Sequence, residues 1–532
     1  MTDAMEVRFE PSGRSVRVAV GTTLLDAARM AGEPIGASCD GSGLCGECLV
    51  RATGPLSAVT RGEQDLLGRT NVEQGTRLAC RVRGLGDVVV WHEASDGTMQ
   101  VEYGVSAADD RRVSAAAVRD GGPLGAAVDL GTTTVALTIV DLATGIEVAR
   151  AGALNAQSAF GADVMSRVAR AMSGGADELR AAITGQVEQL LQQALARASA
   201  PPHRLEDVVL VGNTAMLGLF LGRDLSPLAE APYEGAPVAA GEWTAAELGM
   251  AAFANARVRA LPGVSAFVGA DIVAGLLATG IAGRPGPTLL VDVGTNGEIV
   301  LVTGDAILAT SAAAGPALEG AALSAGMRAE DGAIERVTLA DGALTADVIG
   351  NGAPRGICGS GVIDLLRVLL DEGVLDATGA FAAGSPSPLA RRMADQGVRA
   401  FMLDPHVWFT QLDVRQAQFA IAAVRTGIDT LLAEADIAPA DVVETVLAGG
   451  FGTRLDPASV ARVGLLPAPL AGNLTLAGNT ALAGAKMALT APDALEQAAA
   501  LASRIRTIDL AAHPDFQDRY LATLAAVFRQ AD

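Results

Sequence analysis

Aromatic residues are scarce: Trp, Tyr and Phe make up 3% of the 532 residues. Any core must therefore be packed from Ala, Leu and Val, in a chain that is half hydrophobic by count. Histidine is rarer still, with four residues (His92, His203, His406 and His513) too scattered for a histidine metal centre or a catalytic triad. Basic charge is in deficit, 39 Lys and Arg against 60 Asp and Glu for a net charge of −21. That balance argues against general nucleic-acid binding, which needs a basic face. No run of 18 or more uncharged apolar residues occurs, so no membrane span is expected. The N-terminus MTDAMEVRFEPSGR is charged and has no apolar h-region, so no signal peptide is expected. Cysteine is also rare, and four of the five fall within the first 80 residues. Together these absences point to a reducing cytoplasm in which the thiols serve a metal cofactor.

Those four thiols have a pattern. Residues 36–48, GASCDGSGLCGEC, space Cys39, Cys45 and Cys48 as C-x5-C-x2-C, and Cys80 follows alone in RLACRV. Three thiolates in one glycine-rich loop plus one distant thiolate is the way a 2Fe–2S cluster is held. The glycines let the backbone wrap the cluster with its N–H groups toward sulfur. Zinc is the rival reading, but zinc sites usually show two paired C-x2-C knuckles.

Around this loop the pattern predicts a small domain over residues 1–95. Met5, Val7 and Phe9, then Val16, Val18 and Val20, alternate with polar residues about a Ser12-Gly13 turn, which predicts a hairpin. Thr23 followed by Asp26 opens a helix that Gly32 ends. Strands are expected at 49–52, 80–82 and 87–91, with a short helix at 61–67. The order hairpin, helix, cluster loop, late strand resembles the β-grasp ferredoxins, and the x5 gap is more like the adrenodoxin and putidaredoxin branch than the plant branch. Through residue 94 the segment holds 12 acidic and 10 basic residues, so the negative charge lies mostly beyond it. Residues 96–124, rich in Gly, Asp and Ser, read as a linker.

The remainder repeats itself. Val128-Asp129-Leu130-Gly131-Thr132-Thr133-Thr134 precedes VALTIV, and Val291-Asp292-Val293-Gly294-Thr295-Asn296-Gly297 precedes EIVLV. Each is an apolar strand ending in Asp, a tight turn and a second strand, which aims backbone N–H groups and hydroxyls at one spot, as an anion needs. The Asp can hold hydrated Mg²⁺. Later in each half, a strand runs into a glycine-bearing turn: Gly212-Asn213-Thr214, then Gly449-Gly450-Phe451-Gly452. Such turns bring helix N-termini and bare backbone to a ligand. Helices are expected at 176–198, with Leu179, Ile183, Val187, Leu190, Leu191 and Ala194 on the core face, and at 364–370 and 415–432. The polar stretch 155–163 is expected to face the cleft. Cys358, in GICGSG, is expected to pack rather than react.

This duplicated pattern resembles the actin, sugar-kinase and heat-shock chaperone ATPase superfamily. The resemblance implies an α/β chain with two RNase H-like lobes, 125–285 and 286–532, and ATP between them. It implies that Asp129 and Asp292 act on Mg²⁺ or the attacking water. Gly131, Thr132, Thr133, Gly294, Thr295 and Asn296 would grip the phosphates. Gly212 and Asn213 would also touch the nucleotide, and Gly449, Gly450 and Phe451 would flank the adenosine.

Ferredoxin plus ATPase is a rare pairing. With NAQSAFGADVMSRV, VGNTAM, SAFVGADIVAGLLA, AAGPALEGA, GAIERV, LAGGFG and GNTALAGA it resembles the reductive activators of corrinoid enzymes. The resemblance implies an ATP-dependent activase that passes one electron from the 2Fe–2S cluster to Co(II) and restores Co(I). A plant-type cluster sits near about −400 mV, and Co(II) without its lower ligand is harder to reduce, so ATP must favour a more reducible state. The implied partners are a corrinoid protein or corrinoid-dependent methyltransferase, an upstream low-potential electron donor and a second copy in a homodimer, with no nucleic acid or membrane. Ile421 departs from the lysine of many relatives, larger relatives carry a further domain before the ATPase, and some archaeal relatives hold clusters in a cysteine-rich C-terminal region that this chain lacks. The alternatives are an activator of 2-hydroxyacyl-CoA dehydratases or benzoyl-CoA reductases, a ferredoxin-fused kinase, and a redox-sensing binding module. The first needs two cysteines per ATPase body, and only Cys358 is available.

Overall fold

Alternating side chains set the N-terminal sheet. β1 (Ala4–Glu10) buries Met5, Val7 and Phe9 and turns its charged residues outward. It pairs antiparallel with β2 (Ser15–Ala19) and parallel with the last strand of the domain. Val20 falls beyond β2, in a turn, and is exposed, so the predicted alternation stops one residue early. β3 (Leu49–Thr53), β4 (Thr76–Leu78) and β5 (Val88–Trp91) complete a five-stranded sheet in the order β2-β1-β5-β3-β4. β4 ends before Cys80, so the strand expected at 80–82 is a turn that presents this thiol. The helix Leu24–Ala31 crosses the sheet with Leu24, Leu25, Ala27 and Ala28 buried. Thr23 caps it through the Asp26 N–H, and Gly32 ends it in the left-handed region at φ 68°.

The computed structural model describes every residue except 1–3, 11, 34, 36–47, 62, 64–66, 68–74, 92–121, 162, 231–232, 234–239, 305, 321, 396–397, 450–454 and 530–532. Cys39, Cys45, most of the expected linker, part of the 61–67 helix, Gly450 and Phe451 lie outside the described residues. The chain divides into two compact units: residues 1–97 with 154–183 and 395–397, and residues 98–153 with 184–394 and 398–532.

The stretch 155–163 belongs to the first unit rather than to a cleft in the second. Arg29, on the helix Leu24–Ala31, donates from Nε to the Ala159 carbonyl at 3.1 Å. Gln157 is fully buried and donates to the Leu179 carbonyl at 2.9 Å, and buried Arg167 donates to Gly161 at 2.9 Å. Arg29 and Arg167 thus satisfy carbonyls of this loop, and Gln157 ties it to the helix Ala176–Arg197.

The second unit holds two six-stranded sheets. The first contains β6 (Leu124–Leu130), β7 (Thr134–Asp141), β8 (Glu147–Leu154), β9 (Leu205–Gly212), β10 (Gly241–Thr244) and β11 (Arg257–Ala260), in the order β10-β11-β9-β6-β7-β8. β12 (Thr288–Val293), β13 (Gly297–Thr303) and β14 (Ala306–Ala312) form the next meander. Two smaller sheets follow, β15 (Ala333–Ala340) with β16 (Ala343–Val348) and β17 (Gly356–Ile357), and β18 (Met393–Asp395) with β19 (Arg399–Asp404) and β20 (Val407–Thr410). β21 (Glu444–Ala448), β22 (Leu474–Gly478) and β23 (Ile505–Thr507) join the second large sheet, ordered β22-β21-β12-β13-β14-β23.

The two large sheets share one plan. An antiparallel meander (β6-β7-β8 or β12-β13-β14) is extended from its first strand by parallel strands, β9 and β11 or β21 and β22. β6, β12 and the Val208–Val211 part of β9 are almost continuously apolar because both faces of their sheets are covered. Helix Ala270–Thr279 follows β11 and helix Thr480–Thr490 follows β22. They cross at glycine: a Cβ on Gly275 would sit 2.9 Å from Thr480 Oγ1, and one on Gly484 would overlap the Ala274 backbone.

The helix expected at 176–198 spans Ala176–Arg197 with its six predicted core residues buried. Two others start earlier than their apolar periodicity suggested. Gly359–Asp371 begins directly after Cys358, and Gln411–Glu434 begins at a capping box between Thr410 and Asp413. Ile421 is fully buried in the second-half core, a place where lysine would need a partner.

Candidate nucleotide site

Equivalent register puts the two aspartates together. Asp129, next to last in β6, lies opposite Val211 of β9, and Asp292, next to last in β12, lies opposite Ala448 of β21. Both line one cavity with Gly131, Thr132, Thr133, Asn213, Gly294, Thr295, Asn296 and Gly449. Ten predicted site residues of this half are thus brought together. Gly212 is not in the wall. Its φ of 153° and its closeness to the Leu130 carbonyl make it the turn that aims Asn213. Gly449, at φ 106°, has no room for a Cβ, which would overlap the Val293 carbonyl and crowd Asp292 Oδ1.

The turns are wired to each other. Thr133 Oγ1 and Thr295 Oγ1 lie 2.6 Å apart, and both bond Glu319 Oε2, at 3.0 and 2.6 Å. Asn213 caps helix Thr214–Leu221 with its oxygen and donates from Nδ2 to Thr132 Oγ1 at 2.9 Å. Asn479 caps helix Thr480–Thr490 in the same way and donates to Asp129 Oδ2 at 2.7 Å.

The cavity is acidic. Asp129, Asp271, Asp292, Glu298 and Glu319 line it, and Arg328 is the one basic residue in the wall among those described. Burial pushes Asp292 up to about 8, and Asp271, Asp129 and Glu319 add to the shift. Burial raises Asp129 to about 7, against the opposing Asn479 bond and with help from Asp271. Burial raises Asp271 to about 6 and carries Glu298 well above the usual carboxylate range. Such crowding of carboxylates disfavours ionisation until a cation arrives.

Cys48 and Cys80 lie in the first unit. Cys48 is buried and Cys80 is partly buried. The Cys80 backbone N–H points at Cys48 Sγ from 3.4 Å, and the Ala79 N–H bonds the Cys48 carbonyl at 2.8 Å. Backbone N–H directed at a thiolate is the support a cluster ligand needs, so these two residues fit a 2Fe–2S group. Cys358 caps helix Gly359–Asp371, borders the cavity and is buried, which raises its thiol pKa above the ordinary value. It packs there as expected, and a thiol so raised is unreactive near neutrality.

Residues 7–83 match the family described as 2Fe-2S iron-sulfur cluster binding domain. Residues 124–284 match the RACo middle region, and residues 286–531 match the C-terminal domain of RACo, the ASKHA domain. Corrinoid activation enzyme RamQ of Eubacterium limosum is 34% identical over 412 residues, 75% of this chain and 69% of the relative. The chain belongs to this family of ferredoxin–ASKHA corrinoid activators. A second relative of the activator, the [Co(II) methylated amine-specific corrinoid protein] reductase of Methanosarcina barkeri, is 27% identical, covering 75% of this chain and 76% of the relative. The solved structure of a reductive activator for a corrinoid, iron-sulfur protein superposes with a TM-score of 0.72 at 27% identity, over 98% of this activator and 98% of that chain.

Asp271, Glu298, Glu319, Arg328 and Asn479 are cavity residues that the sequence reading left unassigned. Only Asn479 carried a usable signal. Gly478-Asn479-Thr480 repeats Gly212-Asn213-Thr214, although the two tripeptides follow non-equivalent strands, β22 and β9.

Proposed function

We propose that this activator uses ATP in the acidic cavity to drive one electron onto the cobalt of a corrinoid protein, returning Co(II) to Co(I). The observation that carries this reading is the convergence of both Asp-containing hairpins on one cavity, in a chain whose N-terminal unit also presents cluster-type thiols.

Asp129 and Asp292 are the residues we assign to Mg²⁺. The ion needs only one or two carboxylates plus water, which agrees with the lack, among the described residues, of any group of three or more His, Cys, Asp or Glu side chains in metal-holding geometry. Asn479 holds the Asp129 carboxylate from behind. Thr132, Thr133, Thr295 and Asn296, with the backbone of Gly131 and Gly294, are assigned to the phosphates. Asn213 orients Thr132. Gly449, Gly450 and Phe451 are assigned to the nucleotide's other end, while Gly212 shapes the turn that aims Asn213. Helix Ala270–Thr279 carries Asp271 beside these groups, placing a third carboxylate to orient a water.

Cys39, Cys45, Cys48 and Cys80 are assigned to the 2Fe–2S cluster, which supplies a one-electron relay when bound. Around it the chain provides burial at Cys48 and N–H donors at sulfur. We place the cluster domain at 1–95, the linker at 96–124 and the lobes at 125–285 and 286–532. The five-stranded sheet and the two large sheets support that division. We also propose a low-potential electron donor upstream, a homodimer and a cytoplasmic setting. No described helix is long and apolar enough to cross a membrane.

The test is a visible spectrum of Co(II) corrinoid protein mixed with the activator and reductant. The Co(I) band grows only when Mg²⁺ and ATP are added. Equal reduction with nucleotide withheld removes the proposal.

A further inference from the structure

We propose that Glu319 is a built-in stand-in for the terminal phosphate of ATP, holding the two hydroxyls that the nucleotide would take. This rests on reading the cavity as the nucleotide site, and it adds a residue and a step to that reading. Thr133 and Thr295 come from different sheets, one on each Asp-containing hairpin, and are the side chains an oxyanion between the hairpins would meet. Glu319 Oε2 already occupies that place, within hydrogen-bond distance of both. The hydroxyls also touch each other at 2.6 Å. Three short oxygen–oxygen contacts thus share two hydroxyl protons, which leaves one contact without a donor. An anion with more oxygens relieves this by taking each hydroxyl separately.

The local chain suits an exchange. Glu319 closes the short 3₁₀ turn Pro316–Glu319, with Gly315 at φ 75° before it and Gly320 at φ 80° after it. The Gly315 N–H bonds the Thr295 carbonyl at 2.8 Å, so displacement of the turn is felt by the second hairpin. Arg328, in the same wall, has Glu319 and Glu330 as its acidic neighbours. When the carboxylate leaves, the same guanidinium faces phosphate instead, and its charge stays compensated. ADP ends one phosphate short, so it does not compete for this place and leaves Glu319 where it is.

Calorimetry with full-length protein tests this, using a non-hydrolysable ATP analogue and ADP, each with Mg²⁺, on wild type, Glu319→Gln, Glu319→Ala and Asp292→Asn. Glu319→Gln keeps a carbonyl acceptor for the threonines, removes the competing charge and exchanges one carboxylate oxygen for an NH2 donor. Its affinity for the ATP analogue is expected to rise roughly tenfold, and that for ADP to change less than about threefold. Glu319→Ala should shift the same ratio in the same direction. An unchanged ratio in Glu319→Gln, with nucleotide binding still weakened by Asp292→Asn, overturns the stand-in role alone. Nucleotide binding that ignores both Asp292→Asn and Glu319→Gln overturns the cavity assignment and this inference with it.

Discussion

Asn479 donates a hydrogen bond to Asp129 at 2.7 Å across 350 positions of sequence. The same side chain caps helix Thr480–Thr490. One amide therefore ties the start of that helix to the carboxyl at the end of β6, so the helix cannot shift without the aspartate noticing.

Asn479→Ala is expected to cost about 1.5–3 kcal/mol at Asp129, as lost hydrogen bonds to charged groups do, or roughly 10- to 100-fold in ATP hydrolysis. Loss of the cap adds about 1 kcal/mol of destabilisation. Steady-state ATPase rates and a thermal melt separate the two effects. A normal rate in a protein with a lowered melting temperature removes Asn479 from the site and leaves it a cap.

Asp292→Asn is expected to abolish ATP-dependent Co(II) reduction while leaving iron content and the visible spectrum of the cluster intact. Cys80→Ser should do the reverse: it bleaches the cluster and leaves nucleotide binding in place. Parallel iron assay and calorimetry decide the matter. Cluster loss in Asp292→Asn, or a normal 2Fe–2S spectrum in Cys80→Ser, contradicts the assignments.

Much of this was legible in the sequence because the signals were local. An Asp at the end of an apolar strand, a Gly-Thr turn and a second strand fit within a dozen residues, and the repetition revealed two lobes. The thiol spacing was equally local. Asp271, Glu298, Glu319 and Arg328 were not legible as site residues, since no local motif marks them and each gains meaning only when the fold brings it to the cavity. The strand expected at 80–82 failed because Cys80-Arg81-Val82 has the apolar–polar–apolar alternation of a strand but is too short to tell a strand from a turn. The early start of Gln411–Glu434 was readable, because Thr410 and Asp413 are the capping pair themselves, but hydrophobic periodicity alone overlooked them.

Acid is expected to destabilise the N-terminal unit through Glu63. Its carboxylate is fully buried and takes bonds from Arg77 Nε at 2.9 Å, the Thr60 N–H at 2.9 Å and the Leu78 N–H at 3.3 Å. Burial alone would raise its pKa, but Arg77 and the backbone donors outweigh burial and bring it below the ordinary value. The native state thus holds its proton less tightly than the unfolded chain. The stability it contributes is complete above the unfolded value of about 4.3 and is lost as pH falls below it. Glu63→Gln leaves Arg77 buried without a counter-charge and should cost about 3–5 kcal/mol at neutral pH. Denaturant melts at pH 7 and pH 4 check both. A variant as stable as wild type at pH 7 shows that the pair does not support the fold.

Gly484→Ala should lower stability by about 1–3 kcal/mol, because the added methyl meets the Ala274 backbone and no side chain is available to move aside. Nucleotide affinity should fall with it, since helices Ala270–Thr279 and Thr480–Thr490 carry Asp271 and Asn479 at their starts. A thermal melt and calorimetry measure the two, and an unaltered melting temperature would show that the crossing is looser than the glycines suggest.

That crossing has a mechanical meaning. Where two helices meet through interlocked side chains, changing their angle means lifting one set of teeth out of the other. Here Gly484 faces the Ala274 main chain and Gly275 faces the short Thr480 side chain, so there is little to unmesh. The joint can pivot about its tightest point while its axes stay close. Asp271 and Asn479 stand at the starts of these two helices, so any change in the crossing angle alters their spacing at the acidic end of the cavity.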